Sequence, residues 1–247
     1  MHIGILETGR PPEEFGDSFP DYPRAFELLL SSSAPDWRFG AYAALDGELP
    51  ESPDACDAWL VTGSKYGAYD DEPWIERLEA FLREAYAARA PLVGICFGHQ
   101  LLAQALGGRV VKSEKGWGVG VHEYAIEHQA DWMQSETRAP SRFAIQAFHQ
   151  DQVVALPPDA KVIATSAFCP NALLAYAHTN RRYAALSFQG HPEFAEDYVR
   201  ALLESRRGNV VPEAVADAAL SGVSSSIDQA LSARWIAEFI RRSVAER

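Results

Sequence analysis

One cysteine of the chain lies in a sequence context that could make it a nucleophile. Cys96 stands in Gly94-Ile-Cys-Phe-Gly98, directly after the short apolar run 91–95, which is typical of a buried strand. Residues 98–106 predict a helix, so Cys96 would occupy a strand-to-helix turn, and its flanking glycines would permit a tight, strained one. The helix amino terminus would favour the thiolate, and the Phe97 N–H would be available to bind an oxyanion.

An acid–base group and a residue that could orient it occur together later in the chain. A thiolate enzyme needs both. His191 and Glu193 follow the apolar run 184–188, which predicts a strand. Pro192 favours an extended conformation for His191, and alternate residues of an extended chain project to the same side. We therefore expect His191 and Glu193 to lie together beyond the carboxyl end of that strand, where parallel α/β sheets bind ligands.

Apolar runs and helical patterns alternate through the first hundred residues, which predicts a parallel sheet covered by helices on both faces. The predicted strands are residues 3–6, 37–44, 58–62 and 91–95. The predicted helices are residues 24–30, 72–88 and 98–106, with later ones at 195–206 and 227–244. Between the helices 98–106 and 195–206, short β-like runs indicate an antiparallel extension of the sheet, at 119–126, 143–148, 161–166 and 173–177. We predict one α/β domain over residues 1–247, a flavodoxin-like doubly wound sheet that is mostly parallel.

Composition narrows the kinds of partner. The formal net charge of −12 argues against a nucleic-acid groove or an anionic membrane surface as the main partner.

Cysteine and histidine spacing bears on disulfides and metal sites. Cys56, Cys96 and Cys169 show no paired spacing, and no helical His-x-x-x-His pair is present, so we expect neither disulfides nor a metal or other cofactor. The amino terminus lacks signal-peptide features, and no apolar stretch reaches the roughly 18 residues of a membrane span. We expect a cytoplasmic protein.

The two motifs together resemble those of class I glutamine amidotransferases. The segment Gly94-Ile-Cys-Phe-Gly-His-Gln100 resembles the nucleophile elbow of that family, and Gln189-Gly-His-Pro-Glu193 resembles its His-x-Glu segment, in the same chain order. The resemblance covers about residues 40–200. It is strongest to stand-alone proteins similar to the glutaminase domain of GMP synthase, and the sequence is also similar to plant γ-glutamyl peptidases. It implies that Cys96, His191 and Glu193 form a catalytic triad.

The resemblance also implies residues that bind the oxyanion or the substrate, namely Gly63, Ser64, Phe97, Gln100, His149 and Gln150. Thr62-Gly63-Ser64 matches the oxyanion loop of the family, so the Gly63 N–H would join that of Phe97. Gln100 matches a glutamine on the elbow helix that contacts the substrate. Phe148-His-Gln-Asp151 lies where the family has a segment lining the glutamine pocket.

The implied reaction is hydrolysis of a γ-glutamyl amide through a thioester on Cys96. His191 would protonate the departing amine and then activate water, while Glu193 would orient the imidazole. Amidotransferases normally pass ammonia to a synthase, for which we expect no room in this chain, so a separate synthase subunit could receive it. Alternatively, the protein is a γ-glutamyl peptidase acting on glutathione-like compounds, or a non-catalytic binding or regulatory protein. The segment 7–22 would either border the pocket or form a mobile surface loop.

Overall fold

The computed structural model describes residues 1–134, 140–177 and 183–247. Its strands are β1 (His2–Leu6), β2 (Arg38–Tyr42), β3 (Ala58–Val61), β4 (Leu92–Ile95), β5 (Arg109–Lys112), β6 (Gly118–Ile126), β7 (Arg142–His149), β8 (Asp151–Ala155), β9 (Ala160–Thr165), β10 (Leu173–Ala177) and β11 (Tyr183–Phe188). Its α-helices are α1 (Tyr22–Ser31), α2 (Pro73–Ala87), α3 (Phe97–Ala105), α4 (Glu196–Arg206), α5 (Glu213–Gly222) and α6 (Gln229–Ala245). Short 3₁₀ helices occupy Glu13–Ser18, Ala44–Asp46, Pro53–Ala55 and Asp131–Met133.

A nine-stranded sheet in the order β2-β1-β3-β4-β11-β10-β9-β6-β7 forms the centre of the molecule. The first five of these strands run parallel to one another, and the pairings from β11 outward to β7 are antiparallel. The prediction of a flavodoxin-like, mostly parallel α/β sheet with an antiparallel extension is confirmed. β4 lies between β3 and β11, so the carboxyl ends of these three strands meet at one edge of the sheet.

Alternate residues of the central strands pack into different cores, because successive side chains of a strand point to opposite faces. In β3, Leu60 joins a cluster with α1 and α6, which contribute Phe26 and Trp235. The neighbouring Trp59 joins the cluster on the other face, where α2 and α3 contribute Leu78 and other apolar side chains. β3 and β4 are buried along their whole length, and this explains their continuous apolar runs.

Two features of the fold lie outside the sequence prediction. β5 and β8 form a separate two-stranded antiparallel sheet, and α5 packs near β6. β5 has four residues of which only Val110 is buried, so its apolar pattern is too short to be distinctive. In α5 only Ala216 is buried, and a small side chain at one position gives little helical periodicity.

Candidate active site

Cys96 occupies the predicted strand-to-helix turn between β4 and α3, with φ 51° and ψ −101°. Positive φ in a residue with a side chain is strained, and such strain is often found at functional sites. The flanking glycines make the turn possible. A Cβ atom at Gly94 would lie 2.5 Å from the Gly98 carbonyl oxygen, and one at Gly98 would lie 2.5 Å from the Val61 carbonyl oxygen. Neither backbone contact leaves room for a side chain.

Strand pairing brings the histidine to the cysteine. β11 pairs with β4 in parallel, with Phe188 beside Ile95, and the Cys96 N–H donates to the Phe188 carbonyl at 2.8 Å. The chain beyond β11 therefore passes directly beside the elbow. The His191 N–H donates to the carbonyl of Gln146 in β7 at 2.7 Å, which fixes the course of this segment.

His191 and Glu193 form a buried ion pair. His191 Nδ1 lies 2.7 Å from Glu193 Oε1, and their side chains are 4% and 1% exposed. Burial opposes a charged imidazole, but the negative charges of the Glu193 carboxylate and the Cys96 sulfur outweigh it and raise the pKa of His191 well above its ordinary value. The phenyl ring of Phe194 stacks on the imidazole, with ring centres 3.9 Å apart and planes 5° from parallel.

The loop that follows β3 closes the site from the side opposite β11. A Cβ atom at Gly63 would lie 2.9 Å from His191 Cε1 and 3.7 Å from Cys96 Cβ, so the Gly63 backbone lies beside both residues. Ser64 is half-buried, and its hydroxyl accepts the Tyr66 N–H at 3.3 Å. The Phe97 N–H lies in the first turn of α3, where amide groups lack intrahelical acceptors. Two backbone amides are therefore available beside the thiol.

Gln100 reaches the thiol through Gln189. The Gln100 amide donates to the Asp151 carbonyl at 2.9 Å and to Gln189 Oε1 at 3.3 Å. Gln189 in turn donates to Cys96 Sγ at 3.9 Å. Gln189 is a site residue that motif matching did not single out, although its place between the last strand and the histidine is a signal that could have found it.

His149 and Gln150 lie at the end of β7 and just beyond it. His149 is buried, with Nδ1 3.1 Å from the Asp151 carbonyl oxygen, and its burial lowers the pKa of its imidazole to about 3. The Gln150 carbonyl accepts the Ser113 N–H at 3.2 Å. Within the described residues, neither side chain makes a hydrogen bond to the cysteine, His191 or Glu193. The backbone of this segment lies closer to the thiol than these side chains do, since the Phe148 carbonyl oxygen is 4.0 Å from the Cys96 sulfur.

The segment 7–22 packs against the helix that follows the histidine motif. Phe15 and Phe19 contact the ring of Tyr198 in α4, with ring centres 6.0 and 5.2 Å apart. Tyr22 and Tyr198 share a hydroxyl contact of 3.1 Å. Tyr198 also packs on Phe194, the ring stacked on the imidazole, at 4.6 Å. Of the two alternatives for this segment, the structure favours one bordering the site, because aromatic contacts connect it to His191.

The remaining cysteines lie apart from this constellation. Cys56 contacts His2 and Tyr42, and burial raises the pKa of its thiol. Burial raises the pKa of Cys169 to about 12. Among residues 1–134, 140–177 and 183–247, no group of three or more histidine, cysteine, aspartate or glutamate residues is placed to hold a metal ion.

Taken together, a thiol on a strained backbone turn, an imidazole paired with a carboxylate, and two backbone amides define a site suited to acyl transfer by a cysteine nucleophile. The family model for class-I glutamine amidotransferases matches residues 54–201, and the chain belongs to this family. No helix in the described part of the chain is long and apolar enough to cross a membrane.

Two relatives with curated names differ in the activity that the name states. Gamma-glutamyl peptidase 4 of Arabidopsis thaliana is 28% identical over 205 residues, which cover 81% of this chain and 79% of the relative. A glutamine-hydrolyzing GMP synthase of Thermomicrobium roseum is 34% identical over 137 residues, which cover 55% of this chain but 23% of that protein. Among solved structures, a glutamine amidotransferase of Thermotoga maritima is similar in fold, with a TM-score of 0.73, 20% identity and 99% of both chains covered.

Proposed function

We propose that this protein hydrolyses γ-glutamyl amide bonds, with Cys96 as nucleophile, His191 as acid–base group and Glu193 as the residue that orients the imidazole. The observation that carries the proposal is the buried contact of 2.7 Å between His191 Nδ1 and Glu193 Oε1. This contact occupies Nδ1 and leaves Nε2 of the same ring for proton exchange with the Cys96 sulfur, whose charge helps to raise the pKa of His191. The proposed order of groups is carboxylate, imidazole, thiol, which is the order used in nucleophilic catalysis by cysteine.

In the first half of the reaction, the Cys96 thiolate attacks the δ-carbonyl carbon of the γ-glutamyl group. The carbonyl oxygen becomes an oxyanion, which the N–H groups of Gly63 and Phe97 bind. As the C–N bond breaks, the imidazolium of His191 gives its proton to the departing nitrogen. The products of this half are a free amine and a γ-glutamyl thioester on the sulfur.

In the second half, water takes the place of the amine. His191, now neutral, removes a proton from the water molecule, which attacks the thioester carbonyl. The C–S bond breaks, glutamate leaves, and the imidazolium–thiolate pair forms again. Glu193 stabilises the charged ring in both halves, which is consistent with the raised pKa of His191.

The identity of the leaving amine belongs to the proposal as well. We favour hydrolysis of γ-glutamyl peptides without ammonia transfer over glutamine hydrolysis for a synthase subunit. The support is that relatives matched over most of their length include named peptidases: the match to gamma-glutamyl peptidase 4 covers 79% of that protein, whereas the match to the GMP synthase covers 23% of it. A separate synthase subunit remains the alternative partner.

The test is glutamate release by the purified protein from glutathione and, separately, from L-glutamine. Cys96→Ala should abolish release, whereas Cys169→Ala, which removes a buried thiol elsewhere, should retain it. Release from glutathione and not from glutamine supports the peptidase. Release from glutamine alone favours a glutaminase with a separate ammonia acceptor. Release that persists in Cys96→Ala, or absence of release from both compounds, would refute the proposed hydrolysis.

A further inference from the structure

A threonine two residues beyond the end of the first strand is hydrogen-bonded to the loop beside the thiol. Thr8 and Thr62 are both fully buried. The Thr8 N–H donates to Thr62 Oγ1 at 2.9 Å, and the Thr8 hydroxyl lies 2.9 Å from the Thr62 carbonyl oxygen and 3.1 Å from the Gly63 carbonyl oxygen. The two hydroxyl oxygens are 3.1 Å apart.

These contacts determine the direction of one backbone amide. In a planar trans peptide the C=O and N–H groups point in opposite directions. The Thr62 carbonyl accepts from the Thr8 hydroxyl and also from the Gly98 N–H of the elbow helix at 3.2 Å. Holding this carbonyl from two sides therefore holds the Gly63 N–H on the opposite side of the same peptide.

The next peptide is held as well. The hydroxyl groups of Thr8 and Thr62 can each donate one hydrogen bond, and the carbonyl groups of Thr62 and Gly63 can accept them. With the Thr8 hydroxyl donating to the Thr62 carbonyl, the Thr62 hydroxyl can donate to the Gly63 carbonyl at 3.3 Å. Both peptides that flank Gly63 then have a hydrogen-bonded carbonyl. Glycine would otherwise be free to adopt many backbone conformations, so these two hydrogen bonds restrict the direction of the Gly63 N–H.

We propose that Thr8 is a positioning residue for the oxyanion loop. Thr8 touches no reacting atom, and it acts by fixing the peptides around Gly63 so that the Gly63 N–H is directed at the developing oxyanion. This inference rests on the proposed γ-glutamyl hydrolysis. Strand pairing alone does not require the hydroxyl, because the Thr62 N–H already donates to the Leu6 carbonyl at 3.2 Å and aligns the ends of β1 and β3.

The experiment compares Thr8→Val, Thr8→Ala and Thr8→Ser, with Thr165→Val at the end of β9 as a matched control. Turnover of a chromogenic γ-glutamyl anilide gives kcat and KM. Removing one oxyanion donor costs a factor of about 100 to 1,000 in kcat, so misdirecting one should cost about 10 to 100. We expect this loss in Thr8→Val and Thr8→Ala at nearly constant KM, with kcat within about threefold of wild type in Thr8→Ser and Thr165→Val.

Alkylation of Cys96 by iodoacetamide separates positioning from general disruption. Alkylation develops no oxyanion, so its rate should be unchanged in all four variants. Full kcat in Thr8→Val or Thr8→Ala, an equal loss in Thr8→Ser, or a parallel loss of alkylation would overturn the role of Thr8. Failure of the proposed function would look different, because wild type would then not cleave the anilide or Cys96→Ala would still cleave it.

Discussion

Replacing Glu193 with glutamine isolates the charge of the carboxylate from its shape. Glu193 Oε1 accepts from His191, and Oε2 has no hydrogen-bond partner among the residues that the structure describes. A glutamine can therefore keep its oxygen on the imidazole and place its NH₂ group where Oε2 was. The side chain stays in position, and the substitution removes one buried negative charge.

The expected decrease in activity of Glu193→Gln follows from Coulomb's law. Charges spread over a carboxylate and an imidazolium are separated by about 4.5 Å on average, and at an effective dielectric constant of about 20 they attract by roughly 4 kcal/mol. The amide retains a neutral hydrogen bond worth about 1 kcal/mol. The difference of about 3 kcal/mol is an upper bound on the lost transition-state stabilisation, so kcat/KM should decrease by at most roughly 100-fold in Glu193→Gln.

The pH dependence of kcat/KM should also change in Glu193→Gln, in a direction set by the charge of the carboxylate. Glu193 raises the pKa of His191, so removing its charge lowers that pKa. Because the protonated ring must donate to the departing amine, the alkaline limb of kcat/KM moves to lower pH. Hydrolysis of a γ-glutamyl anilide between pH 5 and 10 measures both effects, with Glu196→Gln at the exposed start of α4 as control. An unmoved limb with activity within threefold of wild type would refute the electrostatic role of the carboxylate.

Three further predictions concern packing and stability. Gly98→Ala should lower the urea-measured free energy of unfolding by about 1–3 kcal/mol, whereas Gly222→Ala, which meets open space, should not. Phe194→Leu should lower kcat about three- to tenfold by loss of ring stacking, with KM unchanged in steady-state assays. Burial lowers the pKa of His99 and of His149 to about 3, so the stability that each contributes is complete above pH 6.5 and lost as pH falls towards 3. Urea unfolding at pH 5 and 7.5 should show a loss of about 2 kcal/mol for each, and His99→Asn should reduce this pH dependence.

The sequence predicted the part of the site that depends on strand ends. Cys96 and His191 each follow a buried apolar run, and parallel strands place their carboxyl ends at one edge, so their meeting could be expected. The neighbouring position of β4 and β11 was not in the local pattern, because their pairing joins segments far apart in the chain. The contacts of Thr8 and Phe194 were also inaccessible, since they depend on side-chain conformations and on packing between elements. The helix α5 was missed because a single buried alanine leaves almost no periodic signal.

The position of β11 in the sheet has a consequence for the order in which the protein is made. Cys96 precedes His191 by 95 residues, although the two strands that they follow are neighbours. During synthesis the thiol leaves the ribosome well before the imidazole, and until β11 docks beside β4 the elbow has neither the Phe188 carbonyl on its amide nor an imidazole at its sulfur. The nascent chain thus carries the thiol without its acid–base partner, and nucleophilic catalysis has to wait for completion of the sheet.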